Sequence, residues 1–204
     1  MGFSITCVAV ATKDQEAFLG AAGVSLTETP DPDGASLIAG AVWQDHFLIW
    51  RNLRAAPLTK EPDWIGLSQA VPLIVLDVVD TAGAQMVRCY EGGEEVWTVS
   101  FMDDNEDLLA VEGDVPVDVA AIQKGLRDNW LAAHPEDVTA PDEELVAGYG
   151  MELPARVFEE LTGFYYEDGA PEDMRTLSGD LPLVKLGWDG KRKDPSDKPW
   201  WKFW

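Results

Sequence analysis

The chain has 204 residues, of which 15 are Lys or Arg and 37 are Asp or Glu, so its formal net charge is −22. This excess of negative charge argues against a nucleic-acid-binding protein, because such a protein neutralises phosphates with clustered Lys and Arg. Two Cys and two His are too few for a disulfide-rich scaffold or a Cys/His metal centre, whereas 46% hydrophobic residues suffice for a packed core.

Size and composition predict one cytoplasmic domain. For a chain of 22.4 kDa, area scaling gives about 70% of the unfolded surface buried on folding, which suits a single core. Residues 1–11 contain no Lys or Arg and the apolar run is cut at Lys13 and Asp14, so we expect no secretory leader, and no apolar run approaches the roughly 18 residues that a membrane helix requires. We therefore expect no membrane contact, and reduced thiols at Cys7 and Cys89.

The first half of the chain predicts a strand, a helix and a hairpin. Residues 2–11 are apolar and β-branched, which is typical of a buried strand. Thr12 and Gln15 have the spacing of a capping box, and Gly23 ends the helix that follows. Further on we expect a turn-rich loop at residues 28–34, a hairpin of residues 36–43 and 46–51, a short helix at 64–70 and a central strand at 73–79.

The clearest local signal is Gly92-Gly93 between two alternating runs, which predicts a two-residue hairpin over residues 85–102. Regular pairing across this turn sets Arg88 opposite Trp97 and puts Tyr90 on the same face. A guanidinium above an indole ring makes a favourable cation–π contact. The candidate binding residues of the sheet are therefore Arg88, Tyr90 and Trp97.

The second half predicts a short strand at residues 108–112 and two helices. Asp118 is placed to cap a helix that ends before Pro135. The apolar stripe of that helix consists of Val119, Ile122, Leu126 and Trp130. An acidic loop is expected at residues 136–144 and a second helix at 154–161. Together the elements predict a single α+β domain, with a mainly antiparallel sheet and helices packed on one face.

Residues 149–164 (YGMELPARVFEELTGF) contain a helix that starts near Pro154 and ends in Leu161-Thr162-Gly163-Phe164. Over this segment, and more weakly at the N-terminal strand and residues 47–50, the chain resembles a family of small bacterial proteins with no assigned activity. The resemblance implies a bacterial, cytosolic protein. It carries over no functional residue.

No motif supports a catalytic residue, a metal or a cofactor. The acidic residues 103–107 begin like a calcium loop, which requires Gly sixth and Glu twelfth. Those positions hold Leu108 and Asp114, which favours a solvated turn. His46 and His134 are far apart in sequence, and no supported nucleophile accompanies them.

Residues 191–204 differ from the acidic domain of residues 1–190. They contain five basic residues, two acidic residues and three of the nine Trp, which leaves 10 basic and 35 acidic residues in the domain. We expect this basic, Trp-rich tail to dock on the domain, because exposed aromatic clusters need a partner. The alternatives are a linear motif for another protein, an arm exchanged between protomers, or contact with an anionic membrane, which the acidic domain would repel. The candidate binding residues of the tail are Trp200, Trp201, Lys202, Phe203 and Trp204.

The composition favours binding over catalysis. Our leading hypothesis is a non-catalytic protein-binding module of the inhibitor or immunity type, which presents its acidic surface to a basic protein, because opposite charges speed encounter and select partners. An alternative is a small-molecule-binding or regulatory domain with a pocket lined by Trp43, Trp50, Tyr90 or Trp97. An enzyme with dispersed catalytic residues is the third hypothesis.

Overall fold

The computed structural model describes residues 4–53, 60–103 and 108–185, and the tail of residues 191–204 lies outside them. The strands are β1 (Ser4–Ala11), β2 (Ser25–Pro30), β3 (Ile38–Trp43), β4 (His46–Asn52), β5 (Lys60–Pro62), β6 (Leu73–Val79), β7 (Ala84–Glu91), β8 (Glu94–Met102), β9 (Leu109–Glu112), β10 (Arg175–Ser178) and β11 (Leu183–Lys185). The helices are α1 (Gln15–Ala22), α2 (Trp64–Ser68), α3 (Val119–Ala133), α4 (Asp142–Tyr149) and α5 (Leu153–Thr162). None of these helices is long and apolar enough to cross a lipid bilayer.

Nine of these strands form one antiparallel sheet in the order β2-β10-β3-β4-β1-β6-β7-β8-β9. β1 lies in the middle, where it pairs with β4 and β6. β6 to β9 run as a meander in which each strand pairs with the next. The two remaining strands, β5 and β11, pair with each other. The predicted α+β class and the antiparallel sheet are confirmed.

The back face of the sheet carries α3, α4 and α5, which we name the helical layer. Leu153, Val157 and Phe158 of α5 form one buried cluster with Leu76 and Val87 of the sheet. These α5 residues recur at helical spacing, so one side of the helix is apolar. α3 contacts both α4 and α5, which completes the layer.

The front face carries α1 and α2. Phe18 of α1 and Trp64 of α2 are buried with Val8, Phe47 and Val75 of the sheet. Strands β1 and β6 are apolar on both faces, and a strand of this kind requires cover on both sides. The expected packing on one face therefore describes α3 to α5, and the structure adds α1 and α2 on the other.

Most of the predicted elements are present. The Asp118 carboxylate accepts a hydrogen bond of 2.9 Å from the Ala121 amide and caps α3 as expected. Gly23 and Gly163 end α1 and α5 in the left-handed conformation that favours glycine. The capping box at Thr12 is wrong, because Thr12 begins a 3-10 turn and the N-cap of α1 is Asp14, which makes no side-chain cap hydrogen bond.

Two elements lie where loops were predicted. β2 overlaps the predicted loop at residues 28–34, because it pairs with β10 at the other end of the chain. Ser25 Oγ lies 2.8 Å from Ser178 Oγ in this pair. α4 and a 3-10 turn, Pro135–Thr139, occupy most of the predicted loop at residues 136–144. The acidic residues of that segment lie in the first turn of α4, where negative charge stabilises a helix.

A β-bulge changes the register of the β7–β8 hairpin. Cys89 pairs with Trp97 and Tyr90 pairs with Glu95, so Val96 has no residue opposite it and Arg88 pairs with Thr98. The predicted pairing of Arg88 with Trp97 is therefore wrong, and the two side chains lie on opposite faces of the sheet. Gly113 gives the bulge its space, because a Cβ there would lie 2.3 Å from the Val96 carbonyl oxygen.

Candidate functional site

A groove of about 680 Å³ runs between α3 and α5 on the helical layer, and we name it the α3–α5 groove. Its apolar lining comes from Ile122, Leu126 and Trp130 of α3. Its charged lining comes from Glu152, Arg156, Glu159 and Glu160. The volume lies within the range of about 300–1,000 Å³ that is typical of ligand pockets.

α3 belongs to the helical layer but does not enter the core. None of its residues is fully buried, and Val119, Ile122 and Leu126 pack only partly against the back-face cluster. An exposed ion pair of Lys124 and Asp128, one turn apart, belongs to the solvated side of the helix. An amphipathic helix docked in this way keeps part of its apolar stripe accessible, and this part forms one wall of the groove.

Several residues of α3 that line the groove have small side chains, which leave open space along this wall. Ala121, Gly125 and Ala133 line the groove at multiples of four residues, which places them on one side of α3. A Cβ added at Gly125 would meet no atom within 4 Å, so the space beside it is open. A glycine inside a helix costs about 1 kcal/mol relative to Ala. Gly125 therefore gives the groove depth at some expense of helix stability.

Trp130 is held in one orientation within the groove. Its Nε1 donates to Asp137 Oδ2 at 3.0 Å. The indole stacks on His134, with ring centroids 3.9 Å apart and an interplanar angle of 23°. His134 Nδ1 lies 3.1 Å from the Trp130 carbonyl oxygen, which ties the imidazole to the end of α3. The groove thus contains a fixed aromatic surface.

Arg156 lies among carboxylates on the α5 side. Its guanidinium donates to Glu159 at 2.8 Å and to Glu152 at 3.4 Å. The same group lies over the Tyr165 ring, with Cζ 3.9 Å from the centroid. Partial burial disfavours the cation, but the hydrogen bond to Glu159 and the surrounding charges outweigh it and raise the pKa of Arg156. The guanidinium is therefore a permanent cation that neutralises part of the rim.

The helical layer as a whole is strongly acidic. Residues 118–168 contain 12 Asp or Glu against three Lys or Arg. Ten of these carboxylate residues are exposed. Such an excess creates a negative potential that attracts cations and decays over about 8 Å at physiological salt.

A second polar cluster, the front-face belt, crosses the sheet beside the apolar contacts of α1 and α2. It consists of Thr6, Arg51, Asp77, Arg88, Thr98 and Ser100, each less than 10% exposed. Arg88 Nη2 donates to Asp77 Oδ2 at 2.5 Å, and Thr6 Oγ1 donates to Asp77 Oδ1 at 2.6 Å. The loss of either charged partner would break a buried ion pair, which destabilises the folded chain.

The structure separates the sheet residues that were predicted to bind. Arg88 and Tyr90 lie together on the front face, with Cζ of Arg88 5.6 Å from the ring centroid. Trp97 and Trp50 are buried in the back-face cluster, so the sheet lies between them and Arg88. Trp43 is partly buried and donates from Nε1 to the Gly163 carbonyl at 3.0 Å. These rings do not line the α3–α5 groove. The predicted tail residues Trp200, Trp201, Lys202, Phe203 and Trp204 lie outside the described residues.

Sequence reasoning missed the groove itself. The stripe containing Leu126 and Trp130 was visible, but the expectation that the helices pack on one face of the sheet did not indicate an accessible wall. Arg156 and its carboxylate neighbours match no motif, and they reach the groove only because α3 packs against α5. Gly125, exposed in the middle of an amphipathic helix, was the one signal that could have indicated an open surface.

Metal binding and relatives add no further evidence for a site. Among residues 4–53, 60–103 and 108–185, no group of three His, Cys, Asp or Glu is placed to hold a metal ion. Residues 104–107 of the calcium-like segment lie outside that description.

Comparison of the chain with models of protein families, with curated proteins and with solved structures finds no match. The family resemblance at residues 149–164 stays a prediction.

Proposed function

We propose that this protein is a non-catalytic protein-binding module of the inhibitor or immunity type, whose α3–α5 groove binds a basic segment of a partner protein. The observation that supports this most directly is the composition of the groove, in which apolar side chains of α3 face charged residues of the α5 side across one cavity. A partner segment with one large apolar side chain and flanking Lys or Arg satisfies both walls.

The apolar wall suits such an anchor. Trp130 is already fixed by Asp137 and His134, so it loses little conformational freedom when a partner docks. The methylene stem of a Lys or Arg packs along an aromatic face, and its charged end extends toward the carboxylates. Gly125 lines the same groove and leaves open space there for the anchor.

The charged wall selects for cations. Arg156 pairs with Glu152 and Glu159, whereas Glu160 pairs with no described Lys or Arg. The acidic helical layer surrounding the groove steers a basic partner toward it. Association by this route slows as salt increases, because the guiding charges are exposed.

A small organic cation is the second candidate occupant. The volume of about 680 Å³ and the ring of Trp130 beside carboxylates suit a quaternary ammonium or a polyamine. The lining extends along α3 from Ala121 to Ala133, about 18 Å of helix, and a groove of that extent favours a peptide segment. Binding measurements with both kinds of ligand separate the two candidates.

The experiment uses the full chain and a defined peptide library. Displayed 12-residue peptides are selected at low salt, and the selected peptides are measured by calorimetry against wild type, Gly125→Leu and Gly20→Leu. Leu at position 125 fills the groove, whereas Gly20 is an exposed α1 glycine whose added Cβ meets no atom within 4 Å. Both changes replace a helical Gly by a better helix former, so they are matched in their local effect.

We expect selected peptides to combine Lys or Arg with Trp, Phe or Leu. Their affinity should fall at least about tenfold for Gly125→Leu, which corresponds to about 1.4 kcal/mol, and stay unchanged for Gly20→Leu. Equal binding to both variants would contradict the proposed site. Binding of spermidine or choline alone, with no peptide selected, would favour the small-molecule alternative.

A further inference from the structure

We propose that the front-face belt is the docking site of the chain's own residues 191–204, bound within the same molecule. The belt lies on the opposite face of the sheet from the α3–α5 groove. The inference therefore does not depend on what the groove binds.

The position at which the described chain ends supports this assignment. Leu181 is buried in the front-face cluster, and β11 then pairs with β5 so that Lys185 is opposite Lys60. Trp200 follows Lys185 by 15 positions, a length that reaches about 50 Å when extended. The belt runs from β4 to β8, four strand spacings or about 19 Å. The tail is long enough to cross the whole belt.

The burial of the belt requires a cover. Asp77 is 5% exposed and Ser100 is 8% exposed, although both are polar. α1 and α2 pack on the apolar rows that contain Val8 and Val75. α2 also reaches the turn of the β7–β8 hairpin, where the Gly92 amide donates to the Ser68 carbonyl at 3.0 Å. The tail supplies the cover for the polar rows beside them.

The chemistry of the belt matches that of the tail. Guanidinium groups at Arg51 and Arg88 offer cations for the faces of Trp rings. Hydroxyl oxygens of Thr98 and Ser100 can accept hydrogen bonds from indole N–H groups, which need a partner when they are buried. Asp77 lies between the two strands that carry these arginines and is already bonded to Arg88. The belt therefore contains two guanidinium cations and one carboxylate, and aromatic rings fit it better than another cation does.

Carboxylates at the edge of the same face fit the basic part of the tail. Glu95 pairs with Tyr90 and Glu112 pairs with Thr98, so both point to the front face. Both are exposed. The tail carries Lys or Arg at residues 191–193 and at two later positions, which places cations on either side of its Trp pair. Aromatic rings over the belt and lysines over its edge satisfy both parts of the surface.

Photo-cross-linking of the full chain tests the site. The photoreactive amino acid p-benzoyl-phenylalanine replaces Trp201, and the irradiated protein is mapped by peptide mass spectrometry. Benzophenone inserts readily at Met side chains, and Met86 and Met102 lie on the front face of β7 and β8. We expect cross-links to these strands within one chain. The same group in place of Ala132, exposed on α3, should give none.

Three outcomes would overturn the proposal. Cross-links to α3 or α5 would place the tail in the groove, and cross-linked dimers would place it on a second copy. The absence of any cross-link would show that the tail does not dock on the domain.

Hydrogen exchange provides an independent measurement. In the triple variant Trp200→Ser, Trp201→Ser, Trp204→Ser, β8 amides should exchange about tenfold faster while α5 amides do not change. Unchanged β8 exchange would contradict the inference, with Ser196→Ala as the control variant.

Discussion

A Cβ atom added to Gly148 would lie 2.5 Å from Cε2 of Trp130, far inside van der Waals contact. Gly148 belongs to α4 and Trp130 to α3, so a missing side chain on one helix lets the indole of the other approach its backbone. The same indole lines the α3–α5 groove. The position of this ring therefore depends on a glycine in a neighbouring helix.

Gly148→Ala should lower the free energy of unfolding by about 1–3 kcal/mol, because the added methyl group over-packs the contact with Trp130. Helix propensity alone acts in the opposite direction, since Ala is favoured over Gly by about 1 kcal/mol. Urea denaturation measures the sum of the two effects. A stability equal to or above that of the wild type would show that the indole moves at little cost.

Gly125→Ala provides the matched prediction for an open site. Nothing lies within 4 Å of an added Cβ at this α3 position, or at Gly20 in α1. Both substitutions should therefore raise the free energy of unfolding by about 0.5–1 kcal/mol, the usual gain for Gly to Ala within a helix. Urea denaturation checks both, and a loss of stability at position 125 would mean that the groove is narrower than described.

Asp77→Asn should be one of the most damaging polar substitutions in the chain. The carboxylate of Asp77 bonds to Arg88 and Thr6, and all three residues are buried. Loss of its charge removes a hydrogen-bonded counterion from a buried guanidinium, and breaking a buried pair in this way costs about 3–5 kcal/mol. The control is Asp128→Asn, which breaks the exposed pair with Lys124 and should change stability by less than about 1 kcal/mol. Similar losses in the two variants would contradict the assignment of the Asp77 pair to the interior.

The protein should lose stability in alkaline solution. Burial, and secondarily the Asp77 carboxylate, raise the pKa of the Cys7 thiol from its ordinary value of 9.0. Below pH 9 the thiol is protonated in both the folded and the unfolded chain, so its contribution is complete. Above pH 9 the unfolded chain releases a proton that the folded chain keeps, and stability falls by up to about 1.4 kcal/mol per pH unit.

Urea denaturation of wild type and Cys7→Ala between pH 7 and 10.5 checks this effect. The stability difference between the two proteins should be constant up to about pH 8 and should then change as the wild type loses stability faster. Burial also raises the pKa of the Cys89 thiol, so the variant should keep part of the slope. Parallel curves over the whole range would show that the Cys7 thiol is accessible in the folded state.

Removal of the N-cap should weaken α3 selectively. Asp118→Ala loses the hydrogen bond to the Ala121 amide, which is worth about 1 kcal/mol. Hydrogen exchange of α3 amides should speed up accordingly. Asp63→Ala removes the corresponding bond to the Gly66 amide at the start of α2. This control should leave the ratio of α3 amide exchange to sheet amide exchange unchanged. Equal effects of the two variants on α3 would mean that the helix unfolds only with the whole domain.

The parts of the fold that local chemistry determines could be predicted from the sequence. The β7–β8 turn follows from Gly92-Gly93, and the start of α3 follows from Asp118. The bulge at Val96 could not be predicted, because its space is provided by Gly113 beyond the next strand. β2 was missed for a related reason, since its partner β10 comes from the far end of the chain.

The candidate site was less accessible to sequence reasoning than the fold. The apolar stripe of α3 was read correctly as one side of a helix, but its degree of burial depends on how α3 docks against α4 and α5. Arg88 and Trp97 were placed together on the assumption of regular pairing, which is wrong because the unpaired Val96 shifts every later side chain of β8 to the other face. Both errors concern packing between distant segments.

The absence of fully buried residues in α3 has a consequence for how the domain opens. α5 contains six buried residues, so its release would expose the back-face core, whereas α3 can leave at a much smaller cost. α3 should therefore melt as a separate unit, below the temperature at which the sheet unfolds. The groove exists only while this unit is in place, and an occupant that stabilises it also raises its melting temperature. Affinity at the groove and local order of α3 are thus two measures of one equilibrium.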